Sequence, residues 1–330
     1  MELSTLEKLT KDVKTAAVML TDEEARYLVD TYYQLQEYRK ATDNQCRKLA
    51  TTPEGEPHET LAFFAGNFRT LENNIKSCLQ TYVQSKEIGR WMMSICGIGP
   101  VISAGLMANI DIRKVQSAGQ IHAFAGLDPT REWKKGEKRP FNARLKTLCW
   151  KIGQSFIKVS NNDKDIYGHV YRIRKEYELK KNEAHEYADQ AAAKLEKFNI
   201  GKTTEAYKFY KDGMLPPAHI DQRASRYAVK LFLSHLFTVW YELENGTPAP
   251  KPYPIAILNH AHEVPPPHWK DGKSTWTSDP ILGVATDKLR DSHCGIVTKK
   301  PKDPYTEIVT KYWRNPREST VTGKRRDPEG

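Results

Sequence analysis

The residues best suited to chemistry in this sequence are two glycines and a proline in the segment Ile95-Cys96-Gly97-Ile98-Gly99-Pro100-Val101. Glycine permits tight turns and lets the main chain approach a ligand closely, and proline is favoured in the first turn of a helix. The N–H groups that begin such a helix point at an anion, with the helix dipole behind them. The spacing therefore predicts a helix-hairpin-helix turn that contacts phosphate through Gly97, Ile98, Gly99 and Pro100.

A basic segment follows this turn. From Arg131 to Lys158 the sequence has nine Lys or Arg residues and only Glu132 and Glu137 as acids, the local imbalance expected of a surface that binds a polyanion. Trp133 lies in this segment, where its ring can either stack on a base or anchor a loop. The predicted contacts are four loop residues, Lys134, Lys135, Lys138 and Arg139, and two helical ones, Arg144 and Lys146.

Two helical faces complete the candidate surface. The helix that carries Arg144 and Lys146 buries an apolar stripe, predicted to be Leu145, Leu148, Ile152 and Phe156. A later helix, about residues 220–243, carries basic residues on one face at spacings of three and four. That face is either a nucleic-acid contact or an ordinary solvated surface, and its residues are Arg223, Arg226 and Lys230.

The composition favours an anionic partner. The formal charge is +10 and the pI about 9.1, while 39% hydrophobic and 28% charged residues are typical of a soluble globular chain. The five cysteines occur singly, which argues against a disulfide framework. No apolar run is long enough to cross a membrane, and the first residues lack the features of a secretory signal. We therefore expect a cytoplasmic protein that binds DNA, with RNA as a second candidate partner, and no membrane.

The elements that must position these residues are helices, and we predict a mainly α fold. Thr21 and Glu24 form a capping box at the start of one helix, and a second helix follows the turn at residues 52–57. Its heptad seam fits either an antiparallel hairpin within one subunit or a coiled coil between subunits of a homo-oligomer. The seam residues are Leu61, Phe64, Phe68, Leu71, Ile75, Cys78 and Tyr82.

The chain divides into three predicted domains. Residues 1–88 form the helical hairpin or coiled coil and are expected to mediate self-association. Residues 89–246 form the nucleic-acid-binding domain, with a helical stretch from about 164 to 210 that breaks near Ile200-Gly201 and a final helix capped by Gly246. Residues 247–330 are a proline-rich connector and a loop-rich basic tail.

Three segments together resemble the C-terminal Tnp domain of insertion-sequence transposases, which pair a RuvC-like DEDD nuclease domain with a helix-hairpin-helix Tnp domain. They are Met93–Pro100, then Ala123-Phe124-Ala125-Gly126-Leu127-Asp128-Pro129, then Asn142–Lys146 before a long apolar helix. The resemblance covers roughly residues 88 to 160. It implies DNA binding and recombination, in several members guided by a structured RNA, and a coiled coil between the two domains.

The sequence departs from this family at both of its catalytic sites. The region before Gly97 offers helices and no paired strands that would carry acidic metal ligands. Where the family has a serine nucleophile after the glycine-leucine-x-proline turn, this chain has Trp133-Lys134-Lys135-Gly136, and Ser155 and Ser160 lie farther along. The prediction is a transposase-related DNA-binding protein without a complete catalytic site. The alternatives are an active transposase completed by another subunit or an unidentified nucleophile, and a structured-RNA scaffold.

No cofactor is expected. One alternative is a zinc ion, because imidazole and thiolate are suitable zinc donors. The spacing of the candidate histidine and cysteine ligands along the chain matches no compact zinc module. The candidate ligands are His260, His262, His268 and Cys294.

Overall fold

The computed structural model describes residues 9–51, 55, 59–130, 133–251, 264–270 and 272–275. This part of the chain is mostly helical, which confirms the predicted mainly α fold. The predicted tail and most of the proline-rich connector lie outside the described residues. The helices are α1 Lys11–Ala16, α2 Asp22–Leu49, α3 Glu59–Gln84, α4 Glu87–Ser94, α5 Pro100–Asn109, α6 Ala118–Phe124, α7 Ala143–Val159, α8 Tyr167–Glu183, α9 Ala188–Lys197, α10 Glu205–Lys211 and α11 Pro217–Asn245, and the strands β1 Trp269–Lys270 and β2 Lys273–Ser274 form an antiparallel pair.

The chain divides into two compact units. Unit 1 is Met1–Ser155 with Leu233–Pro252, and unit 2 is Phe156–Phe232 with Tyr253–Gly330, each considered over its described residues. The domain boundaries predicted from the sequence lie after residues 88 and 246, and they differ from the boundaries of these two units. They stay predictions about functional segments.

In unit 1, α2 and α3 pack against each other as a hairpin within one chain. The predicted capping box is confirmed, since the Thr21 hydroxyl accepts from the Glu24 N–H while the Glu24 carboxylate accepts from the Thr21 N–H at 2.8 Å. Farther along, Arg39 of α2 pairs at 2.5 Å with the buried Glu72 of α3. Of the predicted seam, Tyr82 is buried and Phe64 is exposed, and self-association stays a prediction.

The centre of unit 1 is α5. Eight of its ten residues are buried, and an added methyl group on Gly105 would lie 2.8 Å from Leu148 of α7 and 3.4 Å from Val29 of α2. Arg26 of α2 donates to the carbonyl of Ala108 at 2.7 and 3.2 Å, so a cation binds a carbonyl in the last turn of α5. Burial and this contact together fix the position of α5.

Unit 2 has an aromatic core and a buried ionic cluster. Phe156, Tyr167 and Phe232 pack with ring centroids 4.9 to 5.7 Å apart.

The predicted break near Ile200-Gly201 is confirmed, because α9 ends at Lys197 and α10 begins at Glu205. A second break, between α8 and α9, was not predicted; it contains His185 at a φ of 56°. The helix predicted at 220–243 is α11, and Gly246 follows it at a φ of 65° as expected of a C-terminal cap.

Two glycines test the packing of unit 1. A methyl group on Gly89 in α4 would lie 2.0 Å from the carbonyl oxygen of Val83, whereas one on Gly66 in α3 would meet nothing within 4 Å. Gly89→Ala should therefore lower the free energy of unfolding by about 2 kcal/mol or more, because backbone must move. Gly66→Ala should raise it by roughly 0.5–1 kcal/mol through helix propensity. Urea denaturation followed by circular dichroism measures both, and equal effects of the two variants would contradict the packing described.

Candidate nucleic-acid interface

The glycine turn joins α4 to α5. The N–H of Ile98 donates to the carbonyl of Ile95 at 3.0 Å, and Gly97 between them has a φ of 87°. A positive φ at this position is what a type II turn requires, and glycine adopts it without strain. The predicted helix begins at Pro100 and has no side-chain cap, so its first turn presents the N–H groups of Val101 and Ile102. The local geometry is that of a hairpin between two helices.

Burial decides which parts of the turn can reach a ligand. The side chains of Ile98 and Pro100 are buried in unit 1, so only their main chain is available for contact. Gly97 and Gly99 are half-buried. The carbonyl of Gly97 already accepts a hydrogen bond of 2.5 Å from the Ser155 hydroxyl of α7. The turn is therefore fixed by a hydrogen bond to α7, while its two glycines stay partly exposed to solvent.

The second segment of the resemblance, which begins at Ala123, contains the C-terminal cap of α6. Leu127 donates to the carbonyl of His122 at 2.9 Å and Gly126 to that of Ala123 at 3.1 Å, with a φ of 66° at Gly126, the pattern of a Schellman motif. A methyl group on Gly126 would lie 2.9 Å from the Phe141 ring and 3.0 Å from the Lys146 stem. Glycine is needed here both for its conformation and for this close packing.

Asn142 links the third segment to α5. Its side-chain oxygen accepts from the N–H groups of Arg144 and Leu145 at 2.9 and 3.1 Å, so it caps α7, and its amide contacts Asn109 at the end of α5 at 3.3 Å. Ser155, near the other end of α7, contacts the turn before α5. The two helices therefore run antiparallel. The four stripe residues of α7 predicted from the sequence, Leu145, Leu148, Ile152 and Phe156, are all buried.

This antiparallel packing separates the two predicted phosphate contacts. The basic loop precedes Asn142 and lies towards the C-terminal end of α5, whereas the glycine turn lies at its N-terminal end. A helix of ten residues is about 15 Å long, so Gly97 and Asn142, the residue at the end of the segment that carries the loop, lie roughly that far apart. The two contacts lie at the two ends of one candidate surface, formed by the exposed side of α7, and do not form a single phosphate site.

The basic loop itself is exposed and folded on its own main chain. Lys134, Lys135, Lys138 and Arg139 are all exposed. The Trp133 indole donates to the carbonyl of Glu137 at 2.8 Å, and the Arg139 guanidinium lies 5.2 Å from the ring centre. The indole N–H of Trp133 is thus tied to the loop main chain while its ring is 40% exposed, and base stacking by this ring stays a prediction. Trp133 holds the loop cations at the surface.

The cations of α7 contact residues of unit 1. Arg144 is exposed and pairs with Asp30 of α2 at 3.2 Å, so an acid partly compensates its charge. The ammonium of Lys146 lies 4.3 Å from the Phe141 ring centre, and that of Lys151 lies 3.7 Å from the Tyr33 ring centre. Cation–π contacts orient these two groups and leave their positive charge in place.

The predicted basic face of α11 belongs to unit 2 and divides by role. Arg223 donates at 2.8 Å to the buried carboxylate of Glu178, whereas Arg226 is exposed and Lys230 is half-buried. Burial raises the pKa of Glu178, but hydrogen bonds lower it by more, so that it lies below its ordinary value. The donors are Tyr187, Arg223 and Arg174. Arg223 therefore acts in the framework of unit 2, and Arg226 is the more accessible cation.

Within the described ranges, no group of three or more His, Cys, Asp or Glu residues is placed to hold a metal ion. Of the alternative zinc ligands, His260, His262 and Cys294 lie outside those ranges. His268 lies inside them, and burial lowers the pKa of its imidazole. Among the described helices, none combines the length and apolar character needed to cross a bilayer.

The fold and the candidate surface are those of a helical domain built around a glycine hairpin. Residues 89–167, from α4 to the first residue of α8, match the family described as Transposase IS116/IS110/IS902 family. The match confirms the predicted resemblance and is consistent with the C-terminal Tnp domain of an insertion-sequence transposase. No curated protein and no solved structure matches the chain. The matched domain supports a transposase-related function.

Arg223 and Arg226 make a matched pair of variants. Arg223→Ala should lower the free energy of unfolding by about 2 kcal/mol, because a buried carboxylate loses a charged donor. Arg226→Ala should change it by less than about 0.5 kcal/mol, since the side chain is exposed. Glu178 has a lowered pKa when folded, so its stabilisation is present above its ordinary value of 4.5 and is lost as the pH falls through the lowered folded value. Chemical denaturation measures the free energy of unfolding of both variants at pH 7 and in acid, and the difference between them should be smaller in acid. Equal destabilisation by the two substitutions at pH 7 would contradict the role given to Arg223.

Proposed function

We propose that this chain is a transposase-related DNA-binding protein that binds duplex phosphate backbone along the exposed side of α7 in unit 1, between the turn before α5 and the basic loop. The glycine turn contributes main-chain N–H groups at one end, and the exposed loop Lys134–Arg139 contributes cations at the other. The single observation that carries the proposal is this placement of half-exposed glycines and four exposed cations at opposite ends of one antiparallel helix pair. The transposase-family match over the same residues supports it.

The dimensions of the helix pair suit a duplex. Successive phosphates on one DNA strand lie about 3.4 Å apart along the axis, so a span of about 15 Å covers roughly four base steps. Between the two ends, α7 carries Lys146 and Lys151, whose charges extend the positive surface. Contacts of this kind neutralise phosphates without reading bases. The proposal therefore predicts backbone binding with little sequence preference from this surface.

The proposal assigns binding and not strand cleavage to the described residues. The hydroxyls of Ser155 and Ser160 donate to main-chain carbonyls, of Gly97 and Ile157 respectively, and neither hydrogen bond places a general base at the hydroxyl. A nucleophile needs such a base within hydrogen-bonding distance. Ser155 is better explained as part of the framework that positions the turn, and Ser160 as a residue that bonds a carbonyl in the last turn of α7.

The loop cations are tested by replacing Lys134, Lys135, Lys138 and Arg139 together with Ala. Each lost phosphate contact should reduce the slope of log affinity against log salt by about 0.9, so the slope should fall by roughly 3 to 4 if all four bind. The binding of duplexes of unrelated sequence should weaken alike. Fluorescence anisotropy at several salt concentrations measures both quantities.

The matched control removes the same charge from unit 2. Lys197, Lys202, Lys208 and Lys211 are exposed there, and their replacement by Ala lowers the net charge equally. We expect a much smaller change in slope for this control. If both fourfold variants changed the slope equally, net charge and not the loop would explain the binding.

The turn is tested by Gly99→Ala. Gly99 has a φ of −105° and a ψ of 176°, an extended conformation that alanine also adopts. The added methyl group should keep a phosphate from the main chain and weaken duplex binding about tenfold, as for the loss of one hydrogen bond to a charged group. The salt slope should stay unchanged, because no cation is removed. Gly119→Ala, at an exposed glycine of α6, is the control, and equal affinities for the two variants would remove the turn from the interface.

A further inference from the structure

One side chain of α7 has no role in the duplex contact proposed above. Trp150 is 55% exposed, and within the described part of the chain its indole makes no aromatic, cation–π or hydrogen-bonding contact. The opposite side of the same helix is buried, so Trp150 lies on the polar side of an amphipathic helix. A large exposed ring at such a position is not explained by packing within unit 1.

The surroundings of Trp150 are cationic and polar. Lys146 precedes it by one helical turn and Lys151 follows it directly, and both ammonium groups are already placed over rings. From Lys138 to Asn162 the sequence has six Lys or Arg residues and no Asp or Glu. The other exposed residues of α7 are all polar: Arg144, Lys146, Thr147 and Lys158.

We infer that Trp150 is a stacking platform for an unpaired nucleobase, whose flanking phosphates lie against Lys146 and Lys151. Aromatic rings set among cations are the usual means of binding single strands, because every base has a face that can stack. The bases of an intact duplex are stacked on each other and offer no free face. The surface of α7 is therefore suited to a single-stranded segment, and this role does not depend on the glycine turn.

A protein partner fits this surface less well. A stable protein interface buries about 800 Å² on each partner around an apolar centre. Trp150 is the one apolar side chain among the exposed residues of α7, and the others carry charge or a hydroxyl. The charge favours a polyanion, and the isolated ring favours a ligand with a flat face.

The test compares strands with and without bases. Binding of a twelve-residue oligothymidylate, and of the same strand with abasic residues in place of the central nucleotides, is measured by fluorescence anisotropy with the full chain. Trp150→Leu keeps an apolar side chain, although a smaller one, and loses the aromatic ring. We expect it to bind the base-bearing strand about tenfold more weakly and the abasic strand as the wild type does. Trp150→Tyr, which keeps a ring, should restore most of the affinity.

Phe198→Leu is the matched control, since Phe198 is a 48% exposed ring of unit 2, and it should bind both strands as the wild type does. An oligouridylate measured in parallel shows whether the platform prefers RNA or DNA. Equal affinities of the wild type and Trp150→Leu for the base-bearing strand, equal weakening on both strands, or a changed sedimentation coefficient for Trp150→Leu would each overturn the inference. The fourfold loop variant, measured on duplex DNA at the same time, separates this outcome from a failure of the proposed duplex contact.

Discussion

The burial of α5, held at both ends by side chains of other helices, is the constraint on which the candidate surface depends. Arg26 binds the carbonyl of Ala108 in its last turn, and Ser155 binds the carbonyl of Gly97 just before its first residue. A glycine turn left free would sample many conformations, and ordering it on a ligand would cost conformational entropy. Here that cost is met on folding. The turn is therefore available as a preorganised group of main-chain donors.

The same constraint sets the spacing of the surface. Because α5 and α7 are antiparallel and close at Gly105 and Leu148, the residues before α7 lie at one end of α5 and those near Ser155 at the other. The exposed side of α7 is left between them. Duplex backbone contacts at the two ends and a stacking ring in the middle are alternative uses of one surface, since both involve Lys146 and Lys151. Both uses follow from the direction of α7.

Charge has two different roles in this protein. Arg223 is bound to a buried carboxylate, and Arg144 is paired with Asp30, while the four cations of the basic loop are exposed. A cation with a buried acidic partner stabilises the fold and contributes less to attraction of a polyanion. The net charge of +10 therefore says less about binding than the number of cations that reach the surface. The family match ends at Tyr167, so unit 2, apart from its first helical segment, lies beyond the matched residues.

The sequence by itself determined the local features. The capping box at Thr21, the start of α5 at Pro100, the buried stripe of α7 and the cap at Gly246 depend on residues only a few positions apart, and all four were predictable for that reason. Tertiary structure alone decided the rest. Whether Arg223 faces a partner or solvent, and how far the glycine turn lies from the basic loop, both depend on contacts between residues distant in sequence. Side-chain type and spacing do not predict those contacts, because the burial of a side chain depends on which other helix packs against it.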